Sequence, residues 1–144
     1  MKSVEQFLNF LEENGVKAEH QVLDNGENKN ECVNIGFSGE NIPGMKFRII
    51  FDPEGSGSAQ IFCNEVCKFQ EEKNLIMLQT VNILNAKYRW VTFYVMDGGI
   101  VNANASIAFT DDSANQILTD YLRHFVGVVD TAYPILMKAL YAQE

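Results

Sequence analysis

The side chains of this chain that could bind a metal ion or act as nucleophiles are His20, His124, Cys32, Cys63 and Cys67. None of them forms a C-x-x-C or H-x-x-x-H pair, the spacings that bring two ligands to one metal ion. No serine stands in a G-x-S-x-G sequence, and no cysteine and histidine have a spacing typical of nucleophilic catalysis. We therefore expect no metal, no cofactor and no catalytic residue, and we interpret the cysteines as small apolar side chains on strands.

Paired acids could act as a general acid and base, and they occur here as Glu12-Glu13, Glu71-Glu72 and Asp111-Asp112. Each pair falls at a predicted helix end or exposed face, and neighbours on a helix point about 100° apart. Such carboxylates do not converge, so capping and solubility explain them. The glycine-rich GSGS at 55–58 lacks the lysine and following helix of a phosphate-binding loop, and we interpret it as a hairpin turn. An enzyme is therefore not expected.

Composition and charge exclude further classes of protein. The chain has 144 residues, 47% hydrophobic, with a formal charge of -8, which predicts one globular domain spanning 1–144. Its acidic field repels nucleic acids and anionic membranes, and no stripe of lysine or arginine opposes that field. The start MKSVEQFLNFLEENG lacks the pattern of a signal peptide, and no apolar run is long enough for a membrane span. With three cysteines, an odd number, we expect a cytoplasmic protein with reduced thiols.

The first half of the chain predicts one helix and four strands. Val4, Phe7, Leu8 and Leu11 recur at helical spacing until Asn14-Gly15 ends the helix. Alternation then indicates strands around 16–22, 33–37, 45–51 and 59–63. Pairing Phe51 with Ala59 places the apolar sets of the last two strands on one side and leaves DPEGSGS as their loop. The segment DNGENKNE at 24–31 is expected to be a polar turn.

The second half predicts helix, two strands and helix. Leu75, Leu78, Val81 and Leu84 mark the first helix. A three-residue loop, Asp97-Gly98-Gly99, keeps the apolar faces of the next two strands matched, with Val95 opposite Val101 and Phe93 opposite Ala103. A long amphipathic helix closes the chain, and Pro134 should kink or restart it.

The resulting order is α-β-β-β-β-α-β-β-α. It predicts an α+β fold with a single antiparallel sheet and helices packed on one face.

Two adjoining stretches carry a resemblance to a known family: NILNAKYRWVTFYVMDGGIVNANASIAF at 82–109 and TDDSANQILTDYLRHFVGVVDTAYPIL at 110–136. A helix ending in an asparagine pair, a strand, an acid-glycine turn, a second strand and a long closing helix resemble the bacterial YbjN family. In this chain Val81-Asn82-x-x-Asn85 stands where the family usually has Leu-Asn-x-x-Asn. The resemblance is specific between about Leu75 and Leu136.

The resemblance implies a fold similar to that of type III secretion chaperones, whose layout is α-β-β-β-α-β-β-α. It also implies a homodimer and a protein-binding habit, under the family's label of sensory transduction regulator. It brings no catalytic residues.

Asn82 and Asn85 lie near the end of the second predicted helix, where leucine would pack better. Their amides both donate and accept, so they can satisfy carbonyls of the last turn and bond the neighbouring sheet edge. We interpret both as structural, together with the turn residues Gly98 and Gly99; the alternative is a ligand-binding role.

An aromatic outer face of the sheet is the strongest candidate for binding. If Val91, Phe93 and Val95 face the helices, then Trp90, Tyr94 and Met96 face away. Tyr94 would stand opposite Asn102 and Trp90 opposite Ser106, with Asn104 beside them, and the earlier hairpin would add Ile50 and Phe62. Aromatic side chains rimmed by amides match the composition of interface cores. The alternative is that the closing helix wraps around and covers this face.

The main hypothesis is therefore a non-catalytic protein-binding module, an adaptor or chaperone-like homodimer. Its partner-binding residues would be Trp90, Tyr94, Met96, Asn102 and Asn104. The alternative is a small-molecule sensor with a pocket between the sheet and the C-terminal helix, lined by Phe109, Tyr121 and Phe125.

Overall fold

The computed structural model describes residues 2–24, 26, 29–53 and 56–142. Its elements follow the predicted order, and the α+β fold with helices on one face of one antiparallel sheet is confirmed. The elements are α1 (Lys2–Glu13), β1 (Ala18–Asp24), β2 (Lys29–Phe37), β3 (Met45–Phe51), β4 (Ser58–Lys68), a 3-10 turn (Glu71–Lys73), α2 (Asn74–Lys87), β5 (Thr92–Met96), β6 (Ile100–Ala108) and α3 (Ala114–Tyr141).

The sheet has six strands in the order β1-β2-β3-β4-β6-β5, with every neighbouring pair antiparallel. Phe51 lies opposite Ala59, which confirms the predicted register of the β3–β4 hairpin. The polar turn predicted at 24–31 is shorter than expected, because β1 extends to Asp24 and β2 already begins at Lys29. Its residues 25 and 27–28 lie outside the described residues, as do 54–55 of the predicted loop DPEGSGS. The edges of the sheet are β1 and β5.

The core lies between one face of this sheet and the three helices. Alternate side chains of the central strands are fully buried, among them Phe47, Ile49 and Ile61. Phe47 meets Phe125 of α3 edge to face, with ring centroids 5.1 Å apart. Burying one such side chain stabilises the fold by about 1.5–3 kcal/mol, so this apolar face fixes which side the helices cover.

The turn between β5 and β6 has the predicted three residues. Val95 lies opposite Val101 and Tyr94 opposite Asn102, which confirms the predicted register. Gly98 and Gly99 have φ of 88° and 76°, a left-handed conformation that side chains with a Cβ adopt only at a cost. The Phe69 amide also donates to the Gly99 carbonyl oxygen at 2.8 Å. This contact ties the turn to the end of β4.

The closing helix differs from the prediction at Pro134. α3 runs through Pro134 as a single helix of 28 residues, so the expected restart does not occur. Proline has no N–H with which to bond the carbonyl of Asp130, four residues earlier. The side-chain amide of Asn41 donates to that carbonyl at 3.0 Å instead. The proline is thus accommodated because the loop between β2 and β3 supplies the missing donor.

Candidate interaction surfaces

The chemically versatile side chains lie apart from one another. His20 on β1 lies 3.1 Å from the Glu31 carboxylate on β2, while His124 on α3 lies 3.2 Å from the Arg89 carbonyl oxygen. Cys32, a third candidate, is buried elsewhere on β2. Within the described ranges, no three groups from histidine, cysteine, aspartate and glutamate come together in a way that could hold a metal ion.

The three thiols are free and buried on strands. Burial raises the pKa of Cys63 to about 12 and that of Cys67 to about 11. Burial also raises the pKa of Cys32, although the nearby Arg48 charge opposes that shift. Because only the thiolate is a good nucleophile, thiols with such pKa values are poorly reactive near neutral pH.

Asn85 and Asn82 occupy different environments. The Asn85 Oδ1 accepts from the Phe93 amide at 2.8 Å, and its Nδ2 donates to the Phe93 carbonyl at 3.0 Å. The side chain therefore pairs with the outer edge of β5 as a neighbouring strand would, at the sheet edge where it was expected. Asn82 lies about 60° from Asn85 around the axis of α2. It is exposed, and no hydrogen bond joins its amide to another described residue. The structural role expected of Asn82 therefore has no hydrogen bond to support it among the described residues.

Trp90 does not lie on the outer face of the sheet. β5 begins at Thr92, so Trp90 precedes the strand and does not pair with Ser106. Its φ is 65°, and this left-handed backbone turns the indole toward α3, where its ring lies 5.6 Å from Tyr121 and 5.5 Å from His124. The side chain remains 63% exposed. The alternation that predicted its side of the sheet fails because the strand has not yet begun.

The remaining predicted binding residues do lie on the outer face. Tyr94 is half-buried and Met96 is exposed. Asn102 has a structural contact, because its Oδ1 accepts the Glu65 amide at 2.8 Å. Glu65 has a φ of 56° within the irregular segment of β4. Asn104 is half-buried opposite Phe62, so the amide-rimmed aromatic surface exists, without the tryptophan.

A broad depression on this side of the sheet was not predicted. It has a volume of about 1240 Å³ and extends from the end of α1 and the start of β1 across the outer face. Phe62, Asn34, Arg48 and Gln21 are among its lining residues. Arg48 donates from Nε to Asn34 Oδ1 at 3.1 Å, which holds the guanidinium against the sheet. Sequence periodicity cannot reveal such a depression, because it arises from the relative positions of several strands.

The exposed side of α2 is a second surface that the sequence pattern misassigned. Leu75 and Leu78 were expected to mark the buried stripe, but they are 68% and 44% exposed. The buried stripe contains Met77, Thr80, Val81 and Leu84. Both sides of the helix are rich in apolar residues, so periodicity could not choose between them. The signal that could have found this surface is the lack of any charged residue from 74 to 86.

The three aromatic residues expected to line a sensor pocket have separate surroundings. Phe125 is fully buried against Phe47, Phe109 packs against Phe51, and Tyr121 contacts Trp90. They therefore do not converge on a shared ligand.

One carboxylate organises the loop between β2 and β3. Asp130 of α3 accepts the backbone amides of Glu40, Asn41 and Ile42 at 2.9–3.0 Å. Desolvation raises the pKa of Asp130, but these hydrogen bonds lower it more, so the net shift is downward. A Cβ at Gly39 would overlap the carboxyl group, so glycine permits the close approach.

None of the helices, over the residues described, is both long and apolar enough to cross a membrane.

A family model, "YbjN: Putative bacterial sensory transduction regulator", matches residues 3–136. The crystal structure of "YbjN, a putative transcription regulator from E. coli" aligns with a TM-score of 0.60 at 8% sequence identity. The alignment covers 94% of this chain and 90% of that one, and at such low identity it shows a shared fold alone. No curated protein matches the chain significantly.

Proposed function

The chain belongs to the YbjN family, and on that premise we propose that it is a non-catalytic regulatory adaptor that binds a partner polypeptide on the outer face of its sheet. The observation that carries the proposal is the uncovered outer face itself. Helices pack on one side of the sheet, and a depression of about 1240 Å³ extends from the end of α1 onto the other side, with Phe62 and Arg48 among its lining residues.

The chemistry of this face supports a polypeptide as its ligand. Asn34, Gln21 and Asn104 present amides that can both donate to and accept from a peptide backbone. Phe62 and Tyr94 supply half-buried aromatic surface, the kind of anchor that dominates binding energy at interfaces. A surface with amides around aromatic anchors is suited to binding a chain rather than to catalysing a reaction.

The two sheet edges support an extended partner next to β1. The β5 edge is already occupied at Phe93 by the Asn85 amide. Among the described residues, no side chain forms a comparable pair of bonds with the outer edge of β1. β1 has no proline, glycine or bulge over its seven paired residues, and it borders the depression. An edge of this kind can pair with an added strand.

Site-specific photo-crosslinking in the native cell tests this proposal. A photoreactive amino acid replaces Gln60, which is exposed on the outer face, or Lys138, which is exposed on α3 as the matched control. We expect the Gln60 position to yield a reproducible protein adduct that the Lys138 position does not, and Arg48→Glu to reduce that adduct. Identical products from both positions, or none from Gln60, would contradict the proposal.

We also propose that residues 1–144 act as one domain in the cytoplasm. One continuous core beneath one sheet supports the first point. Three buried free thiols, which suit a reducing compartment, support the second.

A further inference from the structure

The depression that extends from the end of α1 onto the outer face of the sheet is lined by three cations, Lys17, Lys46 and Arg48. All three side chains are exposed, and within the described ranges none of them forms a salt bridge. The whole chain has 19 acidic and 11 basic side chains. Three cations without an acidic partner are therefore a local exception to the negative field of this protein.

The strand register places two of these cations on the same side of the sheet. Lys46 and Arg48 are two positions apart on β3, so their side chains project from one face. Phe47 between them is buried in the core beneath the helices, which leaves both cations on the outer face. Arg48 lies opposite Asn34 of β2, and Lys46 lies opposite Gly36.

Gly36 leaves an open place next to Lys46. It is exposed, and a Cβ at this position would meet only the Met45 carbonyl oxygen, at 3.8 Å. Lys17 directly precedes β1, which lies on the other side of β2 from β3. A ligand group above Gly36 therefore has Lys46 on one side and Lys17 on the other.

The guanidinium of Arg48 is held in place before any ligand binds. Its Nε donates to Asn34 Oδ1 at 3.1 Å, while its two terminal amino groups have no partner in the described part of the chain. A planar guanidinium can bind a carboxylate through two parallel N–H bonds, and a side chain that is already fixed loses less conformational entropy on binding. Together, the three cations and Gly36 form a cationic site suited to carboxylates.

Three acids also line the depression, namely Glu12, Glu19 and Glu65. Glu65 has a cation of its own, because its carboxylate lies 3.7 Å from Lys68 Nζ. None of the three acids belongs to β2 or β3, the strands that form the floor of the cationic site. The lining thus has as many cations as acids, in a chain whose net charge is -8.

Apolar side chains flank the cationic site, with Val16 before β1 and Phe62 on β4. We propose that the partner polypeptide binds here through an acidic segment whose apolar side chains contact Val16 and Phe62. One of its carboxylates lies above Gly36, and a second meets Arg48. This inference rests on the proposed function and specifies the chemistry of its partner. A nucleic acid is a poorer occupant, because the net charge of -8 repels a long polyanion, whereas a short acidic segment meets the local cations.

Selection from a library of random peptides displayed on phage tests the charge of the occupant. The targets are the purified full chain and the double variant Lys46→Glu/Arg48→Glu. Arg123→Glu/Lys138→Glu, at exposed positions of α3, is a control with the same change of net charge. We expect the wild-type protein and the control to enrich peptides rich in aspartate and glutamate, and the first double variant to lose that enrichment. By fluorescence anisotropy, a selected peptide should bind the first double variant at least about tenfold more weakly than the control.

Circular dichroism of both double variants checks that they stay folded, since all four sites are exposed. Selected peptides without an excess of acidic residues would overturn this inference, and so would equal binding of an acidic peptide to the two double variants. A selection that yields no peptide would overturn it as well. The Gln60 adduct decides separately on the proposed function, because a neutral or basic partner segment on the outer face would still form that adduct.

Discussion

In this fold, single polar side chains form hydrogen bonds that backbone groups would otherwise form. Asn85 supplies the two hydrogen bonds that Phe93 would otherwise receive from a seventh strand. Asn41 likewise supplies the donor that Pro134 removes from α3. Both are amides, because only an amide offers a donor and an acceptor in fixed geometry on a short side chain. At the residue scale, Asn41 and Asn85 mark places where the regular hydrogen-bond pattern ends.

Replacing Asn85 with alanine should lower the free energy of unfolding by about 2–3 kcal/mol, because two partly buried backbone groups of Phe93 lose their partners. Asn9→Ala is the matched control, since Asn9 is exposed on α1 and has no bond to another described residue. It should change stability by less than about 0.5 kcal/mol. Urea denaturation measures both variants, and hydrogen exchange should accelerate at the Phe93 amide in the first alone. Equal midpoints for the two variants would show that the Asn85 pair contributes nothing.

At the scale of elements, the β5–β6 turn is fixed by two glycines with different constraints. Both have positive φ, but only Gly99 also lies against another strand end. A Cβ at Gly99 would overlap the Phe69 carbonyl oxygen, whereas a Cβ at Gly98 would meet no atom within 4 Å. The turn residue therefore also determines how closely β4 approaches the hairpin.

The two alanine variants of this turn separate these effects. Gly98→Ala should lower the free energy of unfolding by about 1–2 kcal/mol, because alanine is strained in the left-handed conformation. Gly99→Ala should lower the free energy of unfolding clearly more. Besides the same backbone strain, its Cβ would overlap the Phe69 carbonyl oxygen, and this backbone cannot move without breaking the hydrogen bond between Phe69 and Gly99. Thermal or urea denaturation ranks the two variants. The interpretation is wrong if they lose the same stability.

At the scale of the whole molecule, Asp130 joins segments about ninety positions apart in the chain. Its carboxylate holds the β2–β3 loop on α3, next to the proline that the same loop accommodates. This contact fixes the end of the sheet relative to the long helix. Because the ligands of the carboxylate are backbone amides, the contact depends on its negative charge and therefore on pH.

The pH dependence follows from the lowered pKa of Asp130. A carboxyl group whose pKa is lower in the folded than in the unfolded protein stabilises the folded state. Its contribution is complete above the pKa of the unfolded protein, near 3.8, and is lost as pH falls through the pKa of the folded protein. We expect Asp130→Asn to reduce stability at pH 7 and to flatten the decline of stability below about pH 4. Asp120→Asn, on the exposed side of the same helix, is the control. Parallel stability–pH curves for wild type and Asp130→Asn would contradict this account.

The sequence alone determined the order of elements, the registers of both hairpins and the three-residue turn. These follow from alternation of apolar residues and from glycine, both of which are local properties that one strand pair can satisfy. It also indicated that Asn85 meets a sheet edge, because an amide near a helix end beside a strand has few other partners.

Only the tertiary structure decided which side of α2 is buried, where Trp90 points and how Pro134 is tolerated. α2 is apolar on both sides, so the choice depends on packing against β5 and α3 rather than on periodicity. Trp90 lies in a left-handed turn, where strand alternation does not apply. The donor for the carbonyl next to Pro134 comes from a loop far away in sequence. Local patterns specify elements, but contacts between distant segments specify the surfaces those elements leave exposed.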